Sequence, residues 1–201
     1  MHPDRNFRIE DQETLLAFLH ARPFVTLCAA VNGMPVIAQS PILVRDIGHE
    51  VVLDFHLSRG SALGSHIVQG FRAIALALGS DAYISPDGYE IADQVPTWNY
   101  VSVEAEGMVA PLDHDELVAQ LDALSEQEEA RLAPKRPWTR AKMSPGRFEL
   151  MLRNIVGGRL VVERLQGTFK LSQNKADVDR LGAARALGDH PISVLMRNAR
   201  A

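Results

Sequence analysis

The sequence predicts an α+β fold, a small and mainly antiparallel β-barrel with inserted and C-terminal helices. Three observations predict it. About six segments rich in apolar and β-branched residues are joined by short turns, so most neighbours pair antiparallel. Asn32-Gly33, between two such segments, is the strongest short-range hairpin signal. Helical periodicity is confined to a few inserted and appended stretches, without the strand–helix alternation of a doubly wound sheet.

In order, Asp11 is placed to cap a first helix whose apolar face is Leu15, Leu16, Phe18 and Leu19, ended by Arg22-Pro23. Phe24–Val31 and Met34–Val44 form the hairpin, with Pro41 marking an edge or a bulge. A turn over Asp46–His49 leads to a third strand, Val51–Leu57. A small-residue turn and a short helix carrying Leu63, Ile67 and Val68 follow, up to Gly70. Phe71–Gly79, almost wholly apolar, reads as a central fourth strand. Tyr83–Tyr100 reads as a long ordered loop, because its aromatic residues set it apart from a disordered linker. In the fifth strand, Asn99–Ala110, Val101, Val103 and Ala105 alternate with Ser102, Glu104 and Glu106.

Asp113–Leu132 is an amphipathic helix with Leu117, Leu121 and Leu124 on one face and acids in its first turn. A basic, proline-bearing connector covers Ala133–Lys142. Ser144-Pro145 predicts a capped helix running to about Arg153. Ile155–Lys170 reads as one or two strands broken by Gly157-Gly158 and Gly167. A helical tail begins near Ala176 and resumes after Pro191. One domain over 1–201 is expected, with a helical insertion at about 113–153 and a helical tail at about 174–199.

Composition narrows the function. A hydrophobic content of 46% and a charged content of 23% are ordinary for a globular chain. The net charge of −4 argues against a broad nucleic-acid surface. No apolar run is long enough to span a membrane, no signal-peptide core follows the first methionine, and the one cysteine, Cys28, has no internal disulfide partner. A cytoplasmic location is expected. The seven histidines (His2, His20, His49, His56, His66, His114, His190) lack ligand spacing, so no metal site is expected. There is no G-x-S-x-G and no G-x-G-x-x-G. At His56–Ser65 a strand end passes through Ser58, Arg59, Gly60 and Ser61 into a helix. Main-chain N–H groups, hydroxyls and an arginine there suit a phosphate, but spacing alone favours a capped helix with a solvated arginine.

Five blocks then resemble one family. HLSRGSA at His56–Ala62, AYISPDGY at Ala82–Tyr89, VPTWNY at Val95–Tyr100, IVGG at Ile155–Gly158 and KLSQNK at Lys170–Lys175 are similar, in order, to blocks of the PaiB-type FMN-binding negative transcriptional regulators. The resemblance implies a six-stranded split barrel, a homodimer with FMN at the interface, and FMN phosphate held near His56, Leu57, Ser58, Arg59 and Ser61. It brings Tyr83, Trp98, Asn99, Tyr100, Lys170, Ser172 and Gln173 toward the cofactor. Trp98 reads rather as a packing residue, and Ser172 and Gln173 alternatively as caps of the next helix. The chain departs from the family pattern at Gly60-Ser61-Ala62 and at Asp87-Gly88, the phosphate-side and ring-side positions. Three functions stay open: an FMN-binding regulator, a flavin-dependent oxidoreductase for a small molecule, and a dimeric barrel that has lost its cofactor. Direct DNA binding is not expected, since the basic stretch Lys135–Lys142 is its only candidate surface and no helix-turn-helix is evident.

Overall fold

The computed structural model describes residues 2–48 and 50–199, so His49, which ends the turn expected after Asp46, lies outside the described residues. The strands are β1 (Arg8–Ile9), β2 (Phe24–Val31), β3 (Met34–Ile47), β4 (Glu50–Ser58), β5 (Phe71–Ile84), β6 (Thr97–Pro111) and β7 (Ile155–Lys170). The α-helices are α1 (Gln12–Ala21), α2 (His114–Ala130), α3 (Arg147–Leu152), α4 (Asp177–Ala186) and α5 (Pro191–Asn198). The sheet order is β1-β7-β4-β3-β2-β5-β6, and β6 also pairs with β7, which closes a six-stranded ring. The two-residue β1 is an added edge strand that the sequence did not announce, pairing Arg8 with Thr168 and Ile9 with Gly167.

Local chemistry explains the elements. Asn32 (φ 52) and Gly33 (φ 78) both take the left-handed conformation of a tight hairpin turn. Pro41 ends the stretch of β3 that pairs only with β2 and has an edge on its other side. β3 pairs with β2 up to Pro41 and with β4 from Ile42, so the missing N–H falls where the strand changes partner. Asp113 and Glu116 form a reciprocal capping box at the start of α2. Ser144-Pro145 forms a turn, not a cap. Gly146, at φ 76, occupies the N-cap of α3. Gly157-Gly158 and Gly167 do not break β7, which is one strand of 16 residues.

The chain divides into two compact units. The first comprises Met1–Phe18, Leu78–Glu104 and Leu165–Ala201. Its core joins Ile84, Val101 and Leu171 with Ala184, Ile192 and Met196 of the helical tail. The second comprises Leu19–Ala77 and Ala105–Arg164. In it, β4 is buried from Val51 to Phe55 because both faces are covered. Leu53, Phe55 and Leu57 are core residues, while Asp54 and His56 point to the opposite face, where His56 faces Gln120 of α2. Asp54 is fully buried but satisfied. Arg159, its cross-strand partner, donates from Nε to Oδ1 (2.7 Å) and from Nη2 to Oδ2 (2.9 Å), and Arg45 adds a bond of 3.2 Å. Arg159 also donates to Glu116 of α2 (2.8 Å).

Candidate functional site

The sequence-predicted residues fall into the two units. His56, Leu57, Ser58, Arg59 and Ser61 lie in the second. Tyr83, Trp98, Asn99, Tyr100, Lys170, Ser172 and Gln173 lie in the first.

In the second unit, the Ser58–Ser65 turn is tight. The Ser61 N–H and Oγ both donate to the Ser58 carbonyl (3.0 and 2.8 Å), and the Gly64 N–H donates to Ser61 Oγ (3.1 Å). A Cβ on Gly64 would stand 2.1 Å from the Ser58 oxygen, so this approach requires glycine. The helix that follows is a six-residue 3-10 turn, Gly64–Gln69. Arg59 is partly spent. Its Nε and Nη2 donate to the carbonyls of Arg153 (3.1 Å) and Ile155 (2.9 Å), and its own N–H donates to Asn154 (2.9 Å). It closes the end of α3 while keeping part of its guanidinium free. Leu57 is a core residue paired with Val156, so its side chain offers nothing to a ligand. His56 turns to the α2 side, where burial lowers its pKa and the nearby Gln120 partly opposes this. No well-formed hydrogen bond joins the two, and His56 Nδ1 and both Gln120 amide atoms are buried without partners among the described residues.

In the first unit, the aromatic stretch is less of a loop than expected. β5 runs to Ile84 and β6 starts at Thr97, so Tyr83, Trp98, Asn99 and Tyr100 sit on strands. Tyr83 and Trp98 are exposed and meet edge to face, with centroids 6.1 Å apart. Tyr100 is half-buried. Gln173 folds back on its own loop, accepting from the Leu171 N–H (2.7 Å) and donating to the Phe169 carbonyl (2.6 Å). Its amide acts as a turn clasp.

Asn99, Lys170 and Ser172 do come together. They line a pocket of about 240 Å³ with Thr97, Lys175 and the N-terminal residues His2, Asp4 and Phe7. Lys170 Nζ donates to Thr97 Oγ1 (2.6 Å), and burial lowers its pKa. Lys175 is held by Gln94 and stands over the Tyr89 ring, 5.0 Å from its centroid. Neither lysine is ion-paired among the described residues, so both charges are available. Asn99 is fully buried. Its Nδ2 donates to Ser172 Oγ (2.9 Å), and its Oδ1 has no partner among the described residues. Ser172 reaches this position only in the left-handed conformation, φ 64. An orphaned buried carbonyl costs roughly 1–3 kcal/mol, so its retention here points to a ligand donor. The sequence held no sign of the N-terminal wall. Lys175 was visible only as the last letter of the KLSQNK block.

Comparison with known proteins places this geometry in a family. Residues 1–164 match the model described as "Putative FMN-binding domain". The chain belongs to the FMN-binding domain family, and FMN is its cofactor. It is 27% identical over 93% of its length, and 89% of the relative's, to Protease synthase and sporulation protein PAI 2 of Bacillus subtilis. The FAD and heme binding protein from Mycobacterium smegmatis has a similar structure, with a TM-score of 0.58 and 21% identity, covering 90% of this chain and 80% of that one. A conserved hypothetical protein from Mycobacterium tuberculosis also scores 0.58, at 15% identity, covering 87% and 94%. Both likenesses bear on the fold and agree with the split barrel. Among the described residues, no helix is long and apolar enough to cross a membrane.

Proposed function

We propose that this FMN-binding, PaiB-like chain is a cytoplasmic homodimer that regulates through its flavin, and that the pocket around Asn99 receives the flavin's pyrimidine edge. The carrying observation is the orphaned Asn99 Oδ1 accompanied by Lys170 and Lys175. A flavin's pyrimidine edge presents one imide N–H flanked by two carbonyls. It therefore asks for an acceptor with donors beside it, and these residues fit that request. A phosphate presents only acceptors and would leave Asn99 Oδ1 opposed. Bound there, FMN supplies hydride and electron chemistry, while Asn99 and the lysines bind and orient it. The phosphate contact is assigned to Ser58 and the free part of the Arg59 guanidinium, and is tested separately.

Direct DNA contact is not the route by which this reading operates. Lys135 pairs with Glu129, Arg140 with Asp122 (3.1 Å), and Lys142 donates to the Pro137 carbonyl (2.8 Å). Carboxylates of α2 thus pair with two of the connector's four basic residues.

Flavin titration followed by absorbance tests the reading. Asn99→Leu should weaken FMN and riboflavin alike, by about tenfold or more, for loss of one buried hydrogen bond. Arg59→Ala should weaken FMN much more than riboflavin, which lacks the phosphate. Unchanged affinity of both flavins for a folded Asn99→Leu variant refutes the ring-edge assignment. Equal loss of both in Arg59→Ala refutes the phosphate assignment.

A further inference from the structure

The helical insertion of the second unit builds a cleft that the flavin reading does not use. It has a volume of about 350 Å³, within the range of small-molecule sites. Leu121 of α2, Phe148 and Met151 of α3, and Trp138 of the connector supply apolar and aromatic walls. Two polar groups matter. Arg140 lies at 5.0 Å from the Phe148 ring centroid, but Asp122, another lining residue, already pairs with it. The charges cancel, and no free cation is left for an anionic ligand. His56 also lines the cleft, and its Nδ1 is buried with no partner among the described residues. Gln120, beside it on α2, is fully buried with both amide atoms unpartnered. A native interior seldom leaves several polar atoms unpaired in one place, and a ligand group that bonds them removes the penalty.

We propose that this cleft, where the unpartnered His56 meets the Trp138–Phe148–Met151 wall, is a second small-molecule site for an uncharged aromatic ring system bearing one hydrogen-bonding group. The aromatic and thioether walls match the flat apolar body, and thioethers favour ring contacts. His56 matches the polar group. The cancelled Arg140–Asp122 charges select against an ionised ligand, because a carboxylate would be desolvated with no cation to receive it. The site does not depend on where the flavin sits.

Calorimetry on the FMN-loaded protein, with 2-naphthol as the probe, tests this. Saturable binding of 2-naphthol is expected, with 2-naphthoate weaker by about tenfold or more. Met151 is half exposed, so Met151→Trp can fill the cleft without entering the core and should abolish binding while flavin absorbance is retained. His56→Leu should weaken 2-naphthol about tenfold but leave naphthalene, which has no hydroxyl, unaffected. That difference separates a ligand contact from a general loss of structure. No saturable binding of 2-naphthol, undiminished binding by Met151→Trp, equal loss of 2-naphthol and naphthalene in His56→Leu, or release of FMN by 2-naphthol would each overturn the proposal.

Discussion

Two residues of β4 show how differently one strand face can treat buried polar groups. Asp54 is fully buried yet receives three charge-assisted bonds, from Arg159 and Arg45. The Arg159 guanidinium has its pKa raised, chiefly by the Asp54 hydrogen bonds. Removing one partner of a buried pair leaves the other charge uncompensated, so Asp54→Leu should cost about 3–5 kcal/mol in urea unfolding. His56 is held with its pKa below the ordinary 6.5, burial being the larger cause. Between the folded pKa and 6.5, the unfolded state binds more protons than the native state. Stability therefore rises with pH through that window, falls as pH drops through it, and levels off below the folded pKa. Unfolding midpoints measured from pH 7 down to pH 5 should show this decline, and His56→Leu should flatten it (~1 histidine's worth of slope). Neither behaviour was legible in the sequence, where Asp54 and His56 were two polar letters in a strand. Their fates depend on Arg159 and Gln120, distant in the chain. Asn99 differs. The VPTWNY block marked it as a site residue, though its orphaned Oδ1 emerged only with Ser172 in place.

Elements were legible where local chemistry fixes them. The Asn32-Gly33 turn, the α2 capping box and Pro191 at the start of α5 need no distant partner. Where tertiary pairing decides, the sequence misled. Tyr83, Ile84 and Trp98 resembled a loop because aromatic and turn residues alternate there, yet they extend β5 and β6. β7 stays whole through Gly157-Gly158 because these glycines make room for other side chains. A Cβ at Gly158 would stand 2.6 Å from the buried Phe55 ring, and one at Gly157 2.9 Å from Leu112 Cβ. The β6–β7 seam is tighter still. A Cβ at Gly107 would stand 1.8 Å from the Val161 carbonyl oxygen, and backbone cannot yield as a flexible side chain can. Gly107→Ala should therefore destabilise by about 2 kcal/mol or more, read as a lowered melting temperature. The connector after α2 carries a separate expectation. With Lys135, Arg140 and Lys142 engaged, nanomolar operator binding at physiological salt should be absent in gel-shift assays.

At the scale of the whole molecule, the outer surface of the second unit is not finished. Cys28 on β2 stands in register with Ile37 on β3 and Ile74 on β5, so the three side chains share one row on one face. Alternation sends Val25, Leu27 and Ala29 to the core and leaves this row outside. Ile37 is 65% exposed, and Phe24 on the same face is 66% exposed. Apolar surface gathered on the flat face of a paired sheet marks an interaction site. The homodimer proposed above is what this face is expected to make, and Cys28 would then be screened from oxidants. Ile37→Lys puts a charge at the middle of the row without touching the core. Light scattering at micromolar concentration should show a dimer for the native chain and a monomer for Ile37→Lys, with the circular dichroism of the two alike. A native monomer, or an Ile37→Lys variant that remains dimeric, would move the subunit contact off this face.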